Sequence, residues 1–328
     1  MLSSVSRGDF VLQNNEELTV TGYHSEGYLY DTSSLHFLGQ MDKLFVRDSS
    51  IVNISGGSVD YLYAQNSSTV DMFGGRVLRF STYDNCIVNY MAPWPARVTG
   101  FYIYNNSTVN VSSGQVTNIF ARGSSTVNFS GERISWLETH NTSTVNFSGE
   151  RLIYLYTYDD STVNLSGGSL YRGYTYGNST VNMLDVSVEQ YFWVYDDSTV
   201  NISGGEVPIL SISHNSTVNI SDGLMNTVRT YGNSFVNVSG GQVDSIKAYY
   251  NSTVTFIGRD FYLGDGLSLD GNRILGIGYL SGKWYDGTYW MTSIDRNDDY
   301  ATIQIIPEPI TLSLLLMGGL VVLVRRRN

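Results

Sequence analysis

Twelve copies of a Ser-Thr-Val-Asn-like element, returning at an almost fixed interval, constrain this chain more than any other feature. Their central residues are Val52, Val70, Val88, Val109, Val127, Val145, Val163, Val181, Val200, Val218, Val236 and Val254, and nine of the eleven intervals are 18 residues. Self-similarity at such a period marks a solenoid, in which one repeat cannot bury a core alone and closes it by stacking on its neighbours. The exceptions are an interval of 19 before Val200 and one of 21 after Val88, where Met91, Pro93, Trp94 and Pro95 mark a looped-out insertion.

With the valine as position 0, apolar residues return at +2 (Ile54, Val111, Phe129, Phe147), +7 (Val59, Val116, Ile134, Leu152) and +10 (Leu62, Ile119, Leu137, Leu155). Position +12 is small (Ala64, Ala121, Thr139, Thr157), as fits a narrowing cross-section. The pairs 0/+2 and +10/+12 alternate with polar or Tyr residues, the period of two that marks half-buried strands. Two short strands per coil follow. Ser-Gly-Gly at +3 to +5 (Ser55, Gly56, Gly57; Ser166, Gly167, Gly168) supplies one corner, where Gly admits a positive φ. The Asn-Ser or Asp-Ser step before each element supplies the other.

The fold expected is all-β: a parallel β-solenoid of about 12–14 coils with an 18-residue period, forerunner coils around Leu18 and Leu35, and a short C-terminal hydrophobic helix. At ~4.8 Å per coil such a rod is roughly 60 Å long. Eighteen residues is also three hexapeptides or two nonapeptides. The apolar positions do not fall at equal sixths, however, and a GGxGxD series with regular Asp ligands is missing. Residues 1–257 are read as the repeats and 258–306 as a β-hairpin cap over the last coil, built from Leu275 to Leu280, Lys283 to Met291 and Ala301 to Ile306. Residues 307–328 form a separate terminal signal.

Composition narrows the function. Net charge is −11 and three of the positive charges are the terminal Arg325, Arg326 and Arg327, so a nucleic-acid partner is not expected. The single Cys86 rules out an intramolecular disulfide and a multi-cysteine metal site, leaving a small buried residue. Met1 to Gly22 lacks the basic start and unbroken apolar run of a secretory signal, so a start further upstream is expected.

Asn recurs at +1 (Asn53, Asn89, Asn110, Asn128, Asn146, Asn164, Asn182, Asn201, Asn219, Asn237) and is expected to form an outward ladder of stacked amides. The NxS and NxT triplets it creates follow from the repeat itself and are poor evidence for glycan attachment. Tyr recurs at +11 and +13, with Tyr156, Tyr158, Tyr174 and Tyr176 on consecutive coils. Such rings either stack on one another between coils or present a glycan-binding row. Asp159, Asp160, Asp196 and Asp197 occupy one corner two coils apart, where acids cap turns or, alternatively, hold a cation weakly. His24, His36, His140 and His214 share no register, so neither a metal site, a cofactor site nor a catalytic constellation is implied.

The last 22 residues run Pro307, Glu308, Pro309, then fifteen mainly apolar residues from Ile310 to Val324, then Arg325, Arg326, Arg327 and Asn328. This order closely resembles the PEP-CTERM sorting signal of exosortase substrates. The resemblance implies export across the inner membrane of a Gram-negative-type bacterium. It also implies processing near Pro307 to Pro309 by an exosortase, a membrane-embedded cysteine transpeptidase, and association with extracellular polysaccharide or biofilm. As a helix, residues 310–324 would span about 22 Å, short of the ~30 Å hydrocarbon core, which suits a transient anchor. The arginines would stay cytoplasmic, leaving the solenoid outside.

Taken together, the sequence predicts a non-enzymatic structural or adhesive protein. It would be anchored in the inner membrane before processing, and then reach the cell surface or extracellular matrix. The alternative is a polysaccharide-active β-helix enzyme of the lyase or glycosidase kind, which would need carboxylates gathered in one groove; the one marked loop, Met91 to Gly100, has no acidic residue.

Overall fold

The computed structural model describes residues 3–7, 9–93, 96–296 and 300–307. They form an all-β parallel β-solenoid of about 14 turns with a period of ~18 residues. A typical coil contains one strand at Thr126–Phe129 and one at Arg133–Thr139, and each lies parallel and in register on its counterpart in the next coil. Val127, Phe129, Ile134, Leu137 and Thr139 point into a continuous core. The forerunner coils are real: Leu18 and Leu35 stack under Val52, and Ser3–Arg7 adds a rung below Leu18.

The second strand is not straight. Along Arg133–Thr139, Ile134 and Leu137 are buried while Ser135 and Trp136 between them both face outward, and the ladder to the preceding coil skips Thr117 and Ser135. Two successive outward residues break the alternation, so the chain bends within the second strand, in addition to the two corners that the sequence predicts. The spacing of apolar residues at +7 and +10 is the cause.

Both corners follow from residue chemistry. Four residues before the valine, the backbone is left-handed in coil after coil, from Asn14 to Tyr250, with φ between 51° and 72°. Asn, Asp or Gly fills that position in all but two coils, where His214 and Tyr250 stand, because short polar side chains and Gly tolerate αL best. At the other corner Gly57 has φ 75°, and a Cβ there would stand 1.7 Å from the Gly39 carbonyl oxygen. Only Gly lets one coil rest on the next at that point.

Inside the first corner runs a column of buried serines two residues before each valine, including Ser125, Ser143, Ser161, Ser179 and Ser198. Thr139, Thr157 and Thr175 reach across to hydroxyls of this column, Thr157 Oγ1 to Ser179 Oγ at 2.8 Å for example. Cys86 replaces one of these serines, with its thiol 2.9 Å from the Tyr83 carbonyl oxygen. Alternation extended two residues back from the valine would have located this column.

Residues 258–306 do more than pair as hairpins. Leu267–Asp270 with Arg273–Gly276, and Gly278–Lys283 with Tyr289–Arg296, are antiparallel. Tyr289–Arg296 also lies parallel on the preceding coil, Ile246 beside Ile294, and Thr302–Pro307 lies parallel on Thr253–Leu263, Val254 beside Ile303. The segment therefore builds one further coil around an inserted pair of hairpins. Trp284 and Trp290 stack at 4.6 Å, and Trp290 stacks on Phe256 at 5.0 Å, sealing that end of the core. In the 21-residue interval, the buried Tyr90 donates its hydroxyl to the Ala96 carbonyl oxygen at 2.9 Å and so ties down the insertion; Trp94 and Pro95 lie outside the described residues. So do Glu308, Pro309, the expected helix at 310–324, and Arg325, Arg326 and Arg327.

Candidate functional site

The tyrosines singled out by spacing come together on one side of the rod. Because coils stack in register, side chains at +11 and +13 form two columns of rings. In one, Tyr156 stacks on Tyr174 at 4.9 Å, and Trp136, which stands at +9 of the preceding coil where Glu138 holds +11, leans across to cover the other face of Tyr156 at 4.6 Å. His140, Tyr158, Tyr176 and Tyr195 stack in the other, at 4.6, 5.1 and 5.0 Å. Interplanar angles of 5°, 8° and 3° for Tyr156–Tyr174, Tyr158–Tyr176 and Tyr176–Tyr195 make these close parallel stacks. Each inner ring has both faces covered by its neighbours and turns an edge and a hydroxyl outward. Tyr174 and Tyr191 join hydroxyls at 2.8 Å, and Arg172 lies over the rings of Tyr171 and Tyr191. Burial in the stack pushes the Tyr156, Tyr158 and Tyr174 hydroxyls up, and that of Tyr176 up to about 12.

The histidines stand in different columns of the rod. His140 occupies the +13 column, and its Nε2 lies 2.7 Å from Glu138 Oε1. His36 occupies the Asn position of its coil and meets Ser55 Oγ at 3.0 Å. His214 stands at the left-handed corner above Gly177 and Asp196.

The four acids serve the turns of adjacent coils. Asp159 Oδ2 accepts from the Asn141 backbone N–H at 2.9 Å, and Asp196 Oδ2 from that of Gly177 at 3.0 Å. Asp160 and Asp197 accept side-chain amides of Asn178 and Asn215. A coil bearing Gly177 and Asn178 separates the two pairs, so they do not converge on one point. Among the described residues no group of three or more His, Cys, Asp or Glu is placed to hold a metal ion, and no helix is long and apolar enough to cross a membrane.

On another side, the Asn side chains form a single chain of hydrogen bonds. Asn237 donates to Asn219, and so on down to Asn89, which donates to Asp71; the nine bonds measure 2.7–2.9 Å. Successive glycans at ~4.8 Å would not fit on this ladder.

Spacing did not reveal a groove of about 580 Å³ between the last coils and the inserted hairpins, lined by Gln242, Asp244, Tyr279, Ser281, Tyr289 and Met291. Unlike the stacked columns, it has open aromatic surface, Tyr279 being 60% and Tyr289 75% exposed. These residues belong to no repeat, so no periodicity could pair them; only the density of Tyr and Gly after Leu263 hinted at it.

No family model matches this chain, and searches of curated proteins and of solved structures returned no match either.

Proposed function

We propose that this chain is a non-enzymatic structural or adhesive rod, exported and sorted through its PEP-CTERM-like terminus and displayed at the cell surface or in an extracellular polysaccharide matrix. The observation that carries this reading is that the described rod runs up to the terminal motif, whose first residue, Pro307, is paired in a parallel ladder with Gly258. A cut just beyond Pro307 would leave every described coil intact. The hydrophobic segment 310–324 acts as a transient anchor, with Arg325, Arg326 and Arg327 on the cytoplasmic side. Along the aromatic side, Tyr156, Tyr158, Tyr174 and Tyr176 offer hydroxyls and ring edges, so a polysaccharide lying there is held by hydrogen bonds rather than by stacking on open rings.

The test is expression of the full chain in a bacterium with and without an exosortase-type enzyme, followed by mass spectrometry of the product. Loss of the segment after Pro307–Pro309 only when the enzyme is present, and its persistence when Arg325, Arg326 and Arg327 become Ala, are expected. An intact chain in both hosts overturns the sorting reading. Release of reducing or unsaturated ends from added polysaccharide would favour the enzyme alternative.

A further inference from the structure

The side of the rod bearing the Asn ladder has a second regular column that no part of the proposed function uses. From Thr108 to Thr217, seven consecutive coils place Thr at −1 and Asn at +1, each in register with its counterpart above and below. Ile87 and Phe235 bound this run at the −1 position. Neighbouring rows are ~4.8 Å apart along the rod, and Thr and Asn within a row are about 6.6 Å apart, two residues of strand. The prism face of hexagonal ice repeats its oxygen rows at spacings close to both.

Three further properties suit the array to crystalline water. First, no group among the described residues engages the hydroxyls of these threonines, whereas the amides beside them are fixed by 2.8–2.9 Å bonds to the coils on either side. The Thr side chains are β-branched and restricted at χ1, so little rotamer freedom is lost when they order water. Second, the Thr-to-Asn rows pair position for position from Thr108 to Thr217 without a shift of register, and on the aromatic side of these coils three successive Tyr pairs lie within 3–8° of parallel, so the coils turn little against one another there. A twisted face would lose register with a flat lattice after a few rows. Third, positions −1, +1 and +3 over these coils hold only Thr, Asn, Ser and Leu184, with no charge to impose a competing hydration shell. Between the Asn and Ser columns runs a trough of about 420 Å³ over Asn110 to Ser166, where a file of waters can be held by amides and hydroxyls.

We propose that this Thr/Asn face binds ice, its ligand being the ordered water of a crystal surface rather than a solute. This does not rest on the sorting reading. The test uses the full-length chain, measuring thermal hysteresis, suppression of ice recrystallisation, and adsorption of the fluorescently labelled protein to an oriented single ice crystal. Wild type is expected to shape crystals and adsorb to prism planes. Thr162→Lys, in the middle of the array, is expected to abolish all three, while Ser135→Lys, at the bend of the same rod, leaves them intact; unchanged circular dichroism confirms that both variants fold. Wild-type protein without hysteresis or adsorption overturns the proposal, whatever the variants do. Equal ice activity in Thr162→Lys and wild type also overturns it. Loss of polysaccharide binding in Thr162→Lys, in a protein inert towards ice, would assign the face to a glycan instead.

Discussion

Individual residues in this rod are chosen for backbone conformation as much as for packing. Tyr250 sits at the left-handed corner with φ 57°, where every other coil but that of His214 uses Asn, Asp or Gly, and an ordinary L-residue there is strained by about 1–2 kcal/mol. Tyr250→Asn is therefore expected to raise the denaturant midpoint by about 1 kcal/mol equivalent; a lower midpoint would show that the ring's own contacts outweigh the strain. Ionisation makes a second residue-scale test. Tyr90 and Tyr176 are both pushed up to about 12 from 10.0, chiefly by burial. The folded state holds these protons more tightly, so their contribution is complete below pH 10 and is lost as pH rises towards 12. Tyrosinate absorbance and circular dichroism followed together should show part of the phenolate signal appearing only as the fold is lost; full titration of all tyrosines near their ordinary value in intact protein would contradict this.

The corner, the strand and the ladder act as elements. Gly167 and Gly168 both have positive φ, yet a Cβ on Gly167 would meet nothing within 4 Å, while one on Gly168 would stand 2.3 Å from the Gly149 carbonyl oxygen. Gly168→Ala should consequently cost clearly more stability than Gly167→Ala in urea unfolding, the latter losing only about 1–2 kcal/mol of backbone strain; equal losses would mean the coils yield at that corner. Asn164→Ala removes a donor to Asn146 and an acceptor for Asn182, and about 1–3 kcal/mol should go with them. Asp71→Asn, at the acceptor end of the ladder, should be close to neutral by the same measurement. Much of this was legible in the sequence, because a strict period makes position equivalent to environment: the inward set at 0, +2, +7, +10 and +12, the Gly corner, and the Asn and Tyr columns all follow from counting. The bend was not, since +8 and +9 carry residues as different as Ser135 with Trp136 and Leu78 with Arg79, and only the loss of alternation identifies it. Nor could counting show that Tyr156 and Tyr174 cover each other's faces, which depends on ring rotation, or that Ile303 completes a ladder 49 residues after Val254, across hairpins that carry no period.

At the scale of the whole molecule, stability is a sum over coils and nearest-neighbour contacts, so the ends matter most. Trp290 is 4% exposed against Phe256 and Trp284. Trp290→Ala is expected to cost about 3–5 kcal/mol and to unseat the last coil, exposing strand edges that pair between molecules. Light scattering should show association in that variant; a monodisperse rod would mean that Thr302–Pro307 protects the end by itself. The Asn ladder has a further consequence for the history of the chain. Each amide points its N–H towards the N-terminal coil, and the chain of bonds stops at a carboxylate that has nothing to donate. A coil copied anywhere between Asp71 and Asn237 would arrive with a donor for the oxygen below and an oxygen for the donor above, whereas a copy made below Asp71 would meet a residue that can only receive. Gene duplication could thus have lengthened this rod as a zipper is extended, tooth by identical tooth in one sense of travel, with the aspartate as its fixed stop.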